Sequence, residues 1–216
     1  MIHWPEDILR EFPIIKRTNR DAEIPLLLEY VKEHPVESLL DVGAHYSIHH
    51  YAPQLREMVK KYDAIDIIPD PETEAIVDSY IVGNANEITE VLPWEMVISV
   101  SVFEHCGLST YTADHNTEVI NLFKTCLRMA SKYVWLSFDV GQPYVTPGQH
   151  APITKDLWNQ MLKLSKDYKV TKRFLYSQGP QANHPWIEHN KEDVAFNIPY
   201  IDFIGNQSIG VLEIIK

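Results

Sequence analysis

Glu37-Ser38-Leu39-Leu40-Asp41-Val42-Gly43-Ala44-His45-Tyr46-Ser47 carries the pattern of a strand, a turn and the start of a helix. Leu39, Leu40 and Val42 make a short apolar run that closes in an acid and a glycine, which predicts a buried strand ending in a tight turn. Helical spacing follows over about 48–61, so a helix is expected directly after the turn. On the other side, residues 24–34 carry apolar side chains at helical spacing and stop before Pro35, which predicts a helix ending there.

The alternation continues downstream. Tyr62 to Ile68 and Ser79 to Val82 read as the second and third strands, with a short helix over Pro71 to Asp78 between them. Met96 to Ser101, rich in Val and Ile, suits the buried middle of a parallel sheet. A helix over about 115–130 leads to a strand over Tyr133 to Phe138, and a helix over about 154–166 leads to strands over Tyr168 to Leu175 and Ser208 to Ile215. Joined by a loop with no helix, those last two strands are expected to form an antiparallel edge pair. Large aromatics in these patterns, Trp135, Phe138 and Trp158, are expected in the core. The order predicts an α/β fold: a doubly wound, mostly parallel, seven-stranded sheet with helices on both faces, in one domain over 1–216. Loops rich in Pro, Gly, Gln and His at about 141–152 and 178–199 follow strands on the edge where such sheets bind ligands.

A formal net charge of −11, spread along the 216 residues, repels nucleic-acid phosphates and anionic lipid, so neither partner is expected. Lys16 to Arg20 and Lys169 to Arg173 read as solvated basic faces. With Cys106 and Cys126 the only cysteines and no leader sequence, a cytoplasmic location is expected, and no apolar run reaches the roughly 20 residues needed to cross a bilayer.

Four segments, Leu39-Leu40-Asp41-Val42-Gly43-Ala44, Ala64-Ile65-Asp66-Ile67-Ile68-Pro69, Ile81-Val82-Gly83-Asn84-Ala85 and Ile98-Ser99-Val100-Ser101-Val102-Phe103-Glu104-His105, fall in this order after successive strands. Together they resemble the signature of the class I S-adenosylmethionine-dependent methyltransferases, which have a Rossmann-like fold. The resemblance implies that Asp41, Gly43, Ala44 and His45 hold the amino-acid end of S-adenosylmethionine, and free N–H groups after a glycine turn suit a carboxylate. It implies that Asp66, with Ile67 beside it, takes the ribose hydroxyls, Asp70 being the fallback. Asp66 lies 25 residues after Asp41, close to the interval of about 20 expected for such an acid. Asn84 and Ala85 would meet the adenine, although Asn next to Gly is also an ordinary turn pair, and Val100 and Ser101 would line the methionine portion.

His105 is the candidate general base, with Glu104 to orient it and His150 as a second base from the loop. The bland reading of His105 and Glu104 is a helix start. The reaction implied is methyl transfer from S-adenosylmethionine to a small polar acceptor, an oxygen of a sugar or related metabolite being favoured. The rival is a degenerate methyltransferase fold that acts as a binding or scaffolding protein, because His45 and Ser47 stand where the superfamily often carries glycine. An α/β enzyme acting on a nucleotide or nucleotide-sugar is a third reading. GxGxxG is absent, which argues against a dehydrogenase, and His45 and His49 have no third ligand nearby, so no metal is expected.

Overall fold

The computed structural model describes residues 19–89, 93–108, 115–142, 151–177, 186–189, 191–197 and 207–216. Its strands are β1 (Ser38–Val42), β2 (Lys61–Asp66), β3 (Ser79–Val82), β4 (Trp94–Val100), β5 (Ala130–Val140), β6 (Lys169–Ser177), β7 (Trp186–His189) and β8 (Gln207–Ile215). The helices are α1 (Asn19–Glu33), α2 (Ala52–Met58), α3 (Pro71–Glu74), α4 (His115–Met129), α5 (Lys155–Leu164) and α6 (Glu192–Asn197), with 3-10 turns at Ser47–His49, Ala85–Glu87 and Phe103–His105.

All eight strands of the described residues share one sheet in the order β3-β2-β1-β4-β5-β8-β6-β7. Pairing is parallel from β3 through β5, whereas β8 runs antiparallel to both β5 and β6, and β7 antiparallel to β6. The α/β architecture matches the expectation from sequence, with eight strands among the described residues where seven are expected. Two details differ. The expected antiparallel pair is present as β6 and β8, but β8 lies inside the sheet, with Tyr133 of β5 facing Ile215 on one side and Lys169 of β6 facing Ile215 on the other. The stretch expected to be loop over 178–199 contains β7 and α6, and β7 takes the edge.

Alternation along the strands divides the core between two faces. Leu39, Met96, Ile98, Val100 and Trp135 pack with Ala22, Leu26, Leu27 and Tyr30 of α1 and Leu55 of α2. Leu40, Val42, Val97, Leu136 and Phe138 pack with Val119, Leu122 and Phe123 of α4 and Leu157 and Trp158 of α5. Trp135, Phe138 and Trp158 are fully buried, as expected for the core. On α4 the buried residues Val119, Leu122, Phe123 and Cys126 recur at helical spacing, and burial of each large apolar side chain contributes about 1.5–3 kcal/mol.

α1 starts at Asn19, ahead of the expected Ile24, and runs through Pro25. The proline removes one intrahelical hydrogen bond. The continuous apolar stripe of Ala22, Leu26, Leu27, Tyr30 and Val31 against the sheet offsets that loss. After β1 the chain makes a 3-10 turn before α2, which starts at Ala52 rather than near residue 48.

Candidate functional site

The carboxyl ends of β1 to β4 open into a cavity of about 610 Å³, within the range of small-molecule sites. Its wall includes Gly43, His45, Asp66, Ile67, Asn84, Ala85, Val100, Ser101 and His105. Eight of these nine come from the four sequence segments, each of which contributes, and His45 directly follows the first. Asp41, Ala44 and Glu104 are not part of the wall, and His150 lies outside the described residues.

The turn after β1 owes its path to Gly43. Its φ is +82°, and a Cβ there would stand 2.2 Å from Val102 Cγ2, so nothing larger than glycine fits between the turn and the end of β4. The Gly43 N–H donates to the Ile65 carbonyl at 2.8 Å and ties β1 to β2. The next amides are engaged as well. His45 N–H donates to Asp66 Oδ2 at 2.9 Å, Tyr46 N–H to Asp70 Oδ2 at 2.8 Å, Ser47 N–H to the Ala44 carbonyl at 2.9 Å, and Ile48 N–H to Thr73 Oγ1 at 3.4 Å. The free amides expected at this turn are therefore already satisfied, and a ligand carboxylate has to find its donor elsewhere.

His45 does not close the cavity. Its ring lies against Tyr46 with 3.7 Å between centroids, and Nδ1 is 3.9 Å from Asp70 Oδ2. Asp70 itself is buried as the N-cap of α3. Burial pushes its pKa up, but hydrogen bonds from Thr73, Tyr46 and Glu72 prevail and hold it below the ordinary carboxylate value. It is a structural acid. Asp66 is the one that faces the cavity. Its Oδ2 accepts from His45 N–H and its Oδ1 from Ile68 N–H, both at 2.9 Å, and each oxygen keeps a further lone pair. Beside it Ile67 is 62% exposed, an aliphatic surface suited to the flat face of a ligand.

Asp41 sits behind the wall, fully buried, with Oδ1 accepting from Tyr51 Oη at 3.2 Å and Oδ2 from Tyr62 Oη at 2.9 Å. Burial raises its pKa to about 7 against the opposing effect of the two hydroxyls. Ala44 and Glu104 are likewise buried. Ser101, at φ +51°, is held by its Oγ donating to Glu23 Oε1 at 2.8 Å and its N–H to the Ser137 carbonyl at 2.9 Å. His105 closes the 3-10 turn after β4 and is exposed at the wall.

Two charged wall residues, Arg20 and Glu118, are not among those the sequence points to. Arg20, expected in a solvated basic run, lines the cavity with its side chain 31% exposed. Its Nη1 donates to the Val100 carbonyl at 3.3 Å and to Glu23 Oε2 at 3.4 Å. Burial opposes the guanidinium charge, but Glu23, Tyr51, Glu104 and Asp139 around it raise its pKa above the ordinary value. The available signal was Glu23, an acid in the apolar stripe of α1, which burial makes costly without a cation or donors. Glu118, on α4, is the second. Its signal is Leu122, one turn further along the same helix and also in the wall.

No three His, Cys, Asp or Glu side chains converge as a metal site among the described residues. No described helix is long and apolar enough to cross a membrane.

The sheet, with its cavity at the parallel strand ends, has a Rossmann-like fold, and it is the fold of solved S-adenosylmethionine-dependent methyltransferases. The chain is similar to N-methyltransferase NodS from Bradyrhizobium japonicum WM9, solved with S-adenosylhomocysteine, at TM-score 0.56 and 11% identity over 91% of this chain and 88% of that one. It is similar to magnesium protoporphyrin IX methyltransferase from Synechocystis PCC 6803, also with bound S-adenosylhomocysteine, at TM-score 0.54 and 10% identity over 89% and 81%. The YcgJ protein of Bacillus subtilis gives TM-score 0.57 and 10% identity over 89% and 97%. No family model matches the chain, and no curated protein matches it by sequence.

Proposed function

We propose that this chain binds S-adenosylmethionine in the cavity at the ends of β1 to β4 and transfers its methyl group to a small polar acceptor. The observation that carries the reading is the meeting of Gly43, Asp66 and Arg20 in one wall. A turn with no room for a Cβ brings backbone close to a ligand, Asp66 offers two carboxylate oxygens to a pair of hydroxyls, and Arg20 offers a cation to a carboxylate. These three fit the glycine-turn, ribose and amino-acid requirements of the cofactor. The amides of residues 43–48 being satisfied internally, the guanidinium of Arg20 takes the carboxylate role that the sequence assigns to the turn.

When bound, the cofactor supplies an electrophilic methyl group on a sulfonium. The chain's own part is to orient and to accept a proton. Ser101, fixed by Glu23 and Ser137, shapes the wall at the end of β4, and His105 stands exposed beside it to receive the proton of an acceptor hydroxyl. A sugar or related metabolite is the acceptor class to screen first, with His150 as a further base to test.

Calorimetric titration with S-adenosylmethionine and S-adenosylhomocysteine tests the reading. Saturable binding is expected, and Asp66→Ala should weaken it by about 1–3 kcal/mol, the usual worth of hydrogen bonds to a charged group. Absence of binding to either compound would overturn the enzymatic reading and favour a binding or scaffolding role for the fold.

A further inference from the structure

The Glu118 carboxylate has no place in the roles above, yet three separate segments hold it at the cavity wall. α4 carries it, with Val119 and Phe123 anchoring that helix in the core. From the turn after β3, Asn86 Nδ2 donates to Glu118 Oε2 at 3.0 Å, which also fixes the orientation of the Asn86 amide. From the segment after β4, Gly107 leaves room for it: at φ +72° a Cβ would stand 3.2 Å from Glu118 Cγ and 3.2 Å from His115 Cα. The other carboxylate oxygen, Oε1, makes no hydrogen bond to a described residue. Leu122, Ala85 and Asn86 share this part of the wall with it.

Asn84 is poorly placed for the same work. It is exposed, and its Oδ1 caps the 3-10 turn by accepting from Asn86 N–H at 3.0 Å. The anchored anionic acceptor beside β3 is thus Glu118, entering from the sheet face opposite to the one from which Arg20 enters.

Resting on the reading of the cavity as an S-adenosylmethionine site, we propose that Glu118 accepts from the exocyclic amine of the purine and sets the selectivity of the site for adenine. A carboxylate has only acceptors to offer, so an amino group gains a charge-assisted hydrogen bond there, whereas a 6-oxo group brings its lone pairs against an anion. Asn86 and Gly107 are positioning residues for that carboxylate.

The test is titration of the wild type, Glu118→Gln and Glu118→Ala with S-adenosylhomocysteine and with its hypoxanthine counterpart, S-inosylhomocysteine, thermal unfolding of each variant confirming that it is folded. The wild type is expected to prefer the adenine compound by about tenfold or more, the worth of one such hydrogen bond. Glu118→Gln, whose amide can turn its NH2 toward an oxo group, should narrow the preference, and Glu118→Ala should abolish it, weakening the adenine compound and relieving the repulsion met by the hypoxanthine compound. Wild-type binding with a preference that all three proteins share, or with none, would overturn the role of Glu118 and leave the cofactor reading standing. Failure of the wild type to bind S-adenosylhomocysteine would overturn the cofactor reading and this inference with it.

Discussion

Replacing Asp41 by Asn should stabilise the protein at alkaline pH and progressively less as the pH falls. The carboxyl of Asp41 is fully enclosed between Tyr51 and Tyr62, and burial lifts its pKa from the ordinary 3.8 to about 7. The folded state therefore binds a proton that the unfolded state has already released. Between those two values stability falls as pH rises, and above about 7 the loss is complete. The full gap corresponds to about 4 kcal/mol, of which about 1.5 kcal/mol is already lost at pH 5. Asn carries no charge, so this pH-dependent loss is absent in the variant. The difference in unfolding free energy between Asp41→Asn and the wild type should therefore move in favour of the variant by about 2.5 kcal/mol between pH 5 and pH 8.5. Its absolute value is offset by any weakening of the two tyrosine hydrogen bonds, about 1 kcal/mol each. Urea unfolding at the two pH values measures the change, and taking the difference between proteins cancels the titration of every other group that the substitution leaves alone. A constant difference would refute the argument that Asp41 is held protonated by its surroundings.

Two further substitutions probe the wall of the cavity. Gly43→Ala should destabilise the fold by about 2–4 kcal/mol, since its Cβ would lie 2.2 Å from Val102 Cγ2 at a backbone angle that L-residues avoid; Val102→Ala in the same chain should recover part of the loss in thermal unfolding, and no recovery would assign the whole effect to the backbone. Arg20→Met should weaken S-adenosylmethionine binding by about 1–3 kcal/mol and also destabilise the protein by leaving Glu23 buried without its cation; adding Glu23→Gln should restore stability but not affinity, separating the two roles by calorimetry and urea unfolding.

What could be read from the sequence follows from how local the signal is. β1 and β4 are legible because a parallel strand buried on both faces is an unbroken apolar run, as Leu39-Leu40 and Met96-Val97-Ile98 are. Asp66, Gly43 and His105 are legible because they sit where such runs end. The position of β8 is not, because the pairing of Ile215 with both Tyr133 and Lys169 depends on a choice of partners that periodicity does not encode. β7 and α6 are short and lie among residues rich in Pro, Gly, Gln and His, so the turn signals outweigh them. Arg20 and Glu118 come from helices on opposite faces of the sheet, and a basic run or a polar helix position reads as solvent-facing until the sheet order is known.

The placement of β8 between β5 and β6 imposes an order of events on a chain emerging from the ribosome. β1 to β5 can pair with one another as soon as residue 140 is available. β6 and β7 cannot join them then, because the strand that bridges the gap, Gln207–Ile215, is made later. Until it arrives, the flank of β5 from Tyr133 to Val140 and the matching flank of β6 are open edges able to capture other strands, their own counterparts in a neighbouring nascent chain included. Docking of β6 and β7 onto β1 to β5 is then a late, long-range event, and it makes β8 a point at which synthesis itself gates completion of the sheet.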